Sequence, residues 1–128
     1  MLRLPARPSQ LPAARQYADR AAVAFGLDAK GRYQFVYAVN EAVTNAIRHG
    51  APDRYGLIEL SIAVDSKGLT FSVRDYGTFV AEIPQPAAGA EHGRGFALMA
   101  SLVDEVQLSI GAGRTAVRLS KSGPVSDD

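Results

Sequence analysis

The sequence predicts an α+β fold, a two-layer sandwich whose mixed, mostly antiparallel sheet is covered on one face by about three helices. Three features predict it. Apolar residues recur at helical spacing from Leu11 to Phe25 and again from about Arg32 to His49. The pattern then turns to alternation, over Leu57–Val64 and Leu69–Val73 and later over Val106–Ile110 and Thr115–Leu119. Short links rich in glycine or polar residues join each alternating pair, so the strands form two hairpins. Helices laid on one face of such a sheet bury every apolar stripe.

Taken in order, residues 1–4 form a short edge strand ended by Pro5, which has no N–H for a ladder. The first helix presents Leu11, Ala14, Ala18, Ala21, Ala22 and Phe25, and Gly26 stands where a helix end takes a left-handed residue. The second carries Phe35, Val36, Val39, Val43, Ala46 and Ile47, and Gly50 and Pro52 stop it. Asp65-Ser66-Lys67-Gly68 turns the first hairpin and Gly111-Ala112-Gly113 the second. Between them, residues 76–93 contain Pro84, Pro86, Gly89 and Gly93 and show no period; so long a connection is functional or disordered. Phe96–Val103 follows as a short helix. Residues 1–120 are thus expected to be one domain, and 121–128 a flexible polar tail.

Composition narrows the function. A length of 128 residues suits one domain, and 47% hydrophobic with 21% charged residues is ordinary globular composition. The net charge is +1 and the arginines are scattered, so no basic face for nucleic acid is expected. Without cysteine there is no disulfide framework, thiolate nucleophile or zinc-thiolate site. Only His49 and His92 could serve a histidine metal site. No apolar run approaches the roughly 20 residues of a membrane span, and the N-terminus lacks a signal-peptide core. A cytoplasmic location is expected.

Three constellations carry chemistry. Glu41 and Asn45 lie one helical turn apart on one face, outside the Val36–Val39–Val43–Ile47 stripe. A carboxylate and a carboxamide so placed suit Mg²⁺, or a base beside it, and equally an ordinary solvated helix face. Asp75-Tyr76-Gly77 leaves a strand end, where the aspartate can accept a hydrogen bond while the glycine lets a flat ligand approach; a plain turn uses the same residues. Gly93-Arg94-Gly95 enters the Phe96–Val103 helix, and free N–H groups at a helix start cradle phosphate, with Arg94 adding charge. A lone Gly-x-Gly is also a common loop ending.

Together and in this order, the three resemble a known family. Residues Glu41-Ala42-Val43-Thr44-Asn45-Ala46-Ile47-Arg48-His49 resemble the N box of the ATPases that include gyrase B, histidine kinases and MutL. Asp75-Tyr76-Gly77 resembles their first glycine box. Gly93-Arg94-Gly95-Phe96-Ala97-Leu98-Met99, continuing Leu102-Val103-Asp104, resembles the second, in the wording of the anti-sigma factor serine kinases. The resemblance runs from about Leu11 to Leu119 and implies a Bergerat-type ATP-binding fold. It implies that Asn45 coordinates Mg²⁺ at the triphosphate and that Glu41 is the general base for the attacking hydroxyl. It further implies that Asp75 accepts from the adenine amino group, supported by Thr115, with Gly77 in the same box. Gly93, Arg94 and Gly95 would belong to a mobile lid over the phosphates, while Arg48 and His49 carry either a site or a surface role.

Implied too are a sigma factor and an anti-sigma factor antagonist as partners, and a homodimer. The antagonist would be phosphorylated on serine, where the added charge disrupts an interface. The sequence departs from the family at Asp75-Tyr76-Gly77-Thr78-Phe79, where Phe79 stands in place of a second glycine. That departure motivates the alternative of a non-catalytic module that uses ATP as a conformational ligand, or binds no nucleotide.

Overall fold

The computed structural model describes residues 1–50, 56–66, 68–75, 100–111 and 114–122; for residues 49, 50, 75, 108–111, 114 and 115 it describes the backbone alone. The described residues form five strands: β1 (Leu2–Pro5), β2 (Leu57–Val64), β3 (Gly68–Asp75), β4 (Glu105–Gly111) and β5 (Arg114–Ser122). They form one sheet in the order β1-β2-β3-β5-β4. All the described pairings are antiparallel. Helices α1 (Leu11–Phe25) and α2 (Ala29–Asn45) follow β1, after a 3₁₀ turn at Pro8–Gln10. Residues 100–102 are also helical. The fold is α+β, as expected, with an antiparallel sheet throughout the described pairs.

The first helix has the expected bounds. Gly26 ends it at φ 98°, in the left-handed region, and its N–H donates to the Ala22 and Val23 carbonyls. The second starts earlier than its apolar period. Asp28 caps it, its side chain accepting from the Gly31 N–H at 2.8 Å, so the helix begins at Ala29 rather than Arg32. Its α-helical hydrogen bonding stops at Asn45, and Ala46–Gly50 continue as a π turn. Thus the expected stretch to His49 is helical but not uniformly α.

Small residues let α1 lie close. Ala14, Ala18 and Ala22 are wholly buried at four-residue spacing. From α2 come Phe35, Ala38, Val39, Ala42 and Val43, all with no exposure. The sheet answers with Ile58, Leu60, Leu69, Phe71, Val73, Val117 and Leu119, and Leu4 completes the cluster from β1. Alternation on β2 and β3 leaves Glu59, Ser61, Thr70, Ser72 and Arg74 off this core, and Arg3 pairs with Glu59 across β1 and β2 at 3.2 Å. Polar ties join the helices. Arg32 grips Asp19 with two hydrogen bonds, of 2.5 and 3.0 Å, which hold the Asp19 carboxyl below its ordinary value.

Strand β5 runs through Ser122, two residues beyond the expected boundary at 120, so Lys121 and Ser122 belong to the sheet. Strand β3 likewise starts at Gly68, opposite Ser122. Asp65 closes that end of the β2–β3 hairpin: its N–H donates to the Gly68 carbonyl and its side chain accepts from the Gly68 N–H, each at 3.0 Å. Glycine is required there, because a Cβ on residue 68 would lie 2.0 Å from the Lys121 carbonyl oxygen. Gly68→Ala is therefore expected to destabilise the protein by about 1–3 kcal/mol, the usual cost of forced overpacking, with strand separation the means of relief. Urea unfolding of the two proteins measures it.

Candidate active site

The core stripe of α2 decides which residues stand beside it. With Phe35, Ala38, Val39, Ala42 and Val43 buried, Gln34, Glu41 and Asn45 fall on a neighbouring stripe and are all half-buried. At 100° per residue, steps of seven and four keep these three within about 40° of one another. Asn45 is the last residue of regular α-helix, directly before the π turn. Such widened turns occur frequently at functional sites. The turn lies against β3 and β5.

Those two strands carry the other sequence-derived candidates that fall within the described chain. Asp75 ends β3 opposite Ile58 of β2, and Thr115 lies in β5 opposite Ile110 of β4. The β3–β5 register reaches Arg74 opposite Ala116, and one further step leads to Asp75 and Thr115. Residues 40 apart in sequence therefore stand on adjacent strands at one end of the sheet, the same two strands that meet the π turn. Gly77, Phe79, Gly93, Arg94 and Gly95 lie outside the described residues, as does the first part of the expected Phe96–Val103 helix.

Gln34, Asn40, Tyr33, Tyr37 and Lys121 were not singled out in the sequence reading. Asn40, next to Glu41, accepts from Arg15 Nη1 at 3.0 Å through its side chain and from the Thr44 hydroxyl at 2.7 Å through its carbonyl. Arg15 thereby joins Tyr33, Val36, Tyr37 and Asn40 around a hollow between the helices. Tyr33 and Tyr37, one turn apart, meet edge to face with ring centres 5.8 Å apart, and remain 64% and 38% exposed. On another face of α2, the Lys121 ammonium donates to Gln34 Oε1 at 2.8 Å and to the Leu102 carbonyl at 3.1 Å. Asp104 completes this junction: its N–H donates to the Ser120 carbonyl at 2.9 Å, and its carboxylate accepts the Ser122 N–H at 2.5 Å. Gln34 lies seven residues before Glu41, and Leu102 and Asp104 fall in the stretch that resembles the second glycine box, but no sequence signal tied them together. Lys121 gave none, because a polar run at a chain end reads as tail.

The donor chemistry fits a magnesium–nucleotide complex. Among the described residues no group of three or more His, Cys, Asp or Glu side chains could cage a metal alone. Mg²⁺ bound mainly by phosphate oxygens and water needs one or two hard oxygen ligands from protein, and Asn45 beside Glu41 offers them.

The model of the histidine kinase-like ATPase domain family matches residues 4–121. The chain is 32% identical over 93 residues to an anti-sigma F factor of a Thermoanaerobacter species, spanning 66% of this chain and 65% of that relative. It is 28% identical over 100 residues to the anti-sigma F factor of Clostridium acetobutylicum, spanning 71% and 70%. Among solved structures, the RsbU and RsbW domains of a Mycobacterium tuberculosis protein superpose with a TM-score of 0.67 at 25% identity, covering 96% of this chain and 33% of that one. The histidine kinase domain of a blue-light-activated kinase from Erythrobacter litoralis shares the fold, with a TM-score of 0.60 at 23% identity, covering 87% and 60%.

The junction at Asp104 has an acid signature. Hydrogen bonds from the Ser122 hydroxyl and N–H, helped by the nearby Lys121 charge, hold the Asp104 carboxyl below its ordinary value. A lowered folded-state pKa stabilises the fold above the unfolded value of about 3.9, and this is lost as pH falls through the folded value. Asp104→Asn should therefore be less stable than wild type at pH 7, with the gap closing below about pH 4. Urea midpoints at both pH values read it.

Proposed function

The chain belongs to the histidine kinase-like ATPase domain family, and on that premise we propose that it is an ATP-dependent protein serine kinase that also acts as an anti-sigma factor. Its partners are a sigma factor, which it sequesters, and an antagonist protein, which it phosphorylates. The observation that carries the proposal is the meeting of the Asn45 end of α2 with β3 and β5, the strands in which Asp75 and Thr115 are adjacent. The similarity to anti-sigma F factors supports the choice of partner.

In this scheme ATP lies between that end of α2 and the strand ends. Asp75 accepts from the adenine amino group with Thr115 and Gly77 beside it, and Gly93, Arg94 and Gly95 belong to a lid over the phosphates. Mg²⁺, held by Asn45, would supply neutralisation of phosphate charge. Glu41 accepts the proton of the antagonist's serine as its oxygen bonds to the γ-phosphorus, and the bond from that phosphorus to the β,γ-bridging oxygen breaks, releasing ADP. The protein contributes position and charge, which phosphoryl transfer chiefly needs.

Arg15, held by Asn40 beside the exposed Tyr33 and Tyr37, is the contact for a protein partner. Residues 1–120, with the last two residues of β5, work as a single domain, in a cytoplasmic homodimer. Among the described residues no helix is long and apolar enough to cross a membrane. Phe79 favours the second reading, a binding module without phosphotransfer.

Unfolding temperature and phosphotransfer to the antagonist together separate the two. At 100 times its dissociation constant ATP adds about 2.7 kcal/mol, a rise of roughly several degrees for this size. The rise should appear with Mg-ATP and vanish in Asp75→Asn. Glu41→Gln should keep the rise and lose about 10²–10⁴-fold in phosphotransfer to the antagonist, the usual contribution of a general base. A rise in wild type with no phosphotransfer would establish the binding module instead. No rise at millimolar Mg-ATP would remove nucleotide from the account.

A further inference from the structure

The junction at the start of α2 joins three parts of the chain that are distant in sequence. Gln34 opens the stripe that continues to Glu41 and Asn45. Leu102 ends the helical residues 100–102, seven positions after Gly95. Lys121 comes from β5, the strand that carries Thr115. One ammonium bonds the first two and is rooted in the third.

A lysine on a protein surface ordinarily keeps its ammonium in water, because fixing four rotatable bonds costs side-chain entropy. Lys121 is half-buried, with its ammonium on two neutral oxygens belonging to different elements. A cation also suits the Leu102 carbonyl, since carbonyls at a helix end lack intrahelical donors and carry partial negative charge. The surrounding bonds fix the lysine's own backbone. Asp104 is tied to Ser120 and Ser122 on either side of it, and the missing side chain of Gly68 leaves room for its carbonyl.

We propose that Lys121 is a positioning residue for nucleotide binding: its ammonium sets the distance between the Gln34–Glu41–Asn45 stripe of α2 and the chain that leaves the glycine-rich stretch, and so sets the affinity for Mg-ATP. This rests on the nucleotide site proposed above and adds a determinant that touches neither nucleotide nor metal. Removing the ammonium leaves the Leu102 carbonyl and the Gln34 amide oxygen without their donor and the two elements free to separate. The cost then falls on the bound state, which needs both elements at once.

The test is calorimetric titration of the full chain with Mg-ATP, on wild type, Lys121→Met, Lys121→Arg and Leu4→Val. The last thins the core at β1, on the far edge of the sheet from β4, and controls for lost stability alone. Lys121→Met should bind Mg-ATP about tenfold more weakly, the scale of one lost charge-assisted hydrogen bond. Lys121→Arg, which keeps a cationic donor, should stay within about threefold of wild type. Leu4→Val should unfold at a lower temperature yet bind as wild type does. Should Lys121→Met fail to fold, Gln34→Leu removes one acceptor and should weaken binding about threefold, again with normal binding by the control. Wild-type affinity in Lys121→Met, or in Gln34→Leu where that takes its place, overturns the proposal. So does an equal loss in Leu4→Val. No binding by wild type overturns the nucleotide site itself, and the role of Lys121 with it.

Discussion

The fully buried stripe of α2 is the constraint from which the site follows. Phe35, Ala38, Val39, Ala42 and Val43 lie against the strands with no exposure, and each large apolar side chain so placed contributes about 1.5–3 kcal/mol from burial. A helix seated along such a stripe cannot rotate without bringing polar groups into the core. Its neighbouring stripe is thereby fixed as well, and that stripe carries Gln34, Glu41 and Asn45. The alanines of α1 serve the same end. Ala14, Ala18 and Ala22 let a second helix close over the sheet, while Arg32–Asp19 and Arg15–Asn40 lock the two helices together. The proposed chemistry needs a carboxylate and a carboxamide held at one place, and packing of apolar residues on the adjacent stripe provides it.

Most of the architecture was legible because burial here follows simple periods. Leu11–Phe25 could be read residue by residue, since alanines at helical spacing ended in a glycine whose left-handed conformation few other residues adopt. The β2 strand was equally plain. The start of α2 was less so: Asp28 caps it through a side-chain bond, and Ala29, Lys30 and Gly31 add little to the apolar period that marked the rest. The π turn after Asn45 left no mark in the pattern, for it changes hydrogen-bond partners rather than which residues are apolar.

The candidate site divides along the same line. Glu41 and Asn45 were legible as a pair because four residues make one turn. The adjacency of Asp75 and Thr115 was not, because it depends on which strands neighbour in the sheet and in what register. Strand order β3-β5-β4 sets it, and nothing local to either residue carries that order. Lys121 illustrates the same limit from the other side. Its hydrogen bonds reach Gln34 and Leu102, 87 and 19 positions away, so a reading confined to its neighbours sees only a polar end.

The central claim is that Mg-ATP binds where the Glu41–Asn45 end of α2 meets the Asp75 and Thr115 ends of β3 and β5. Backbone amide chemical shifts of the full chain, recorded with and without Mg-ATP, test it most directly. Changes among assigned amides should centre on residues 41–48, 74–75 and 115–116, with β1 and the β2–β3 hairpin end near Asp65 unmoved. Shifts centred instead on the sheet face around Ser61, Ser72 and Arg118, or confined to the first turns of α1, would contradict it.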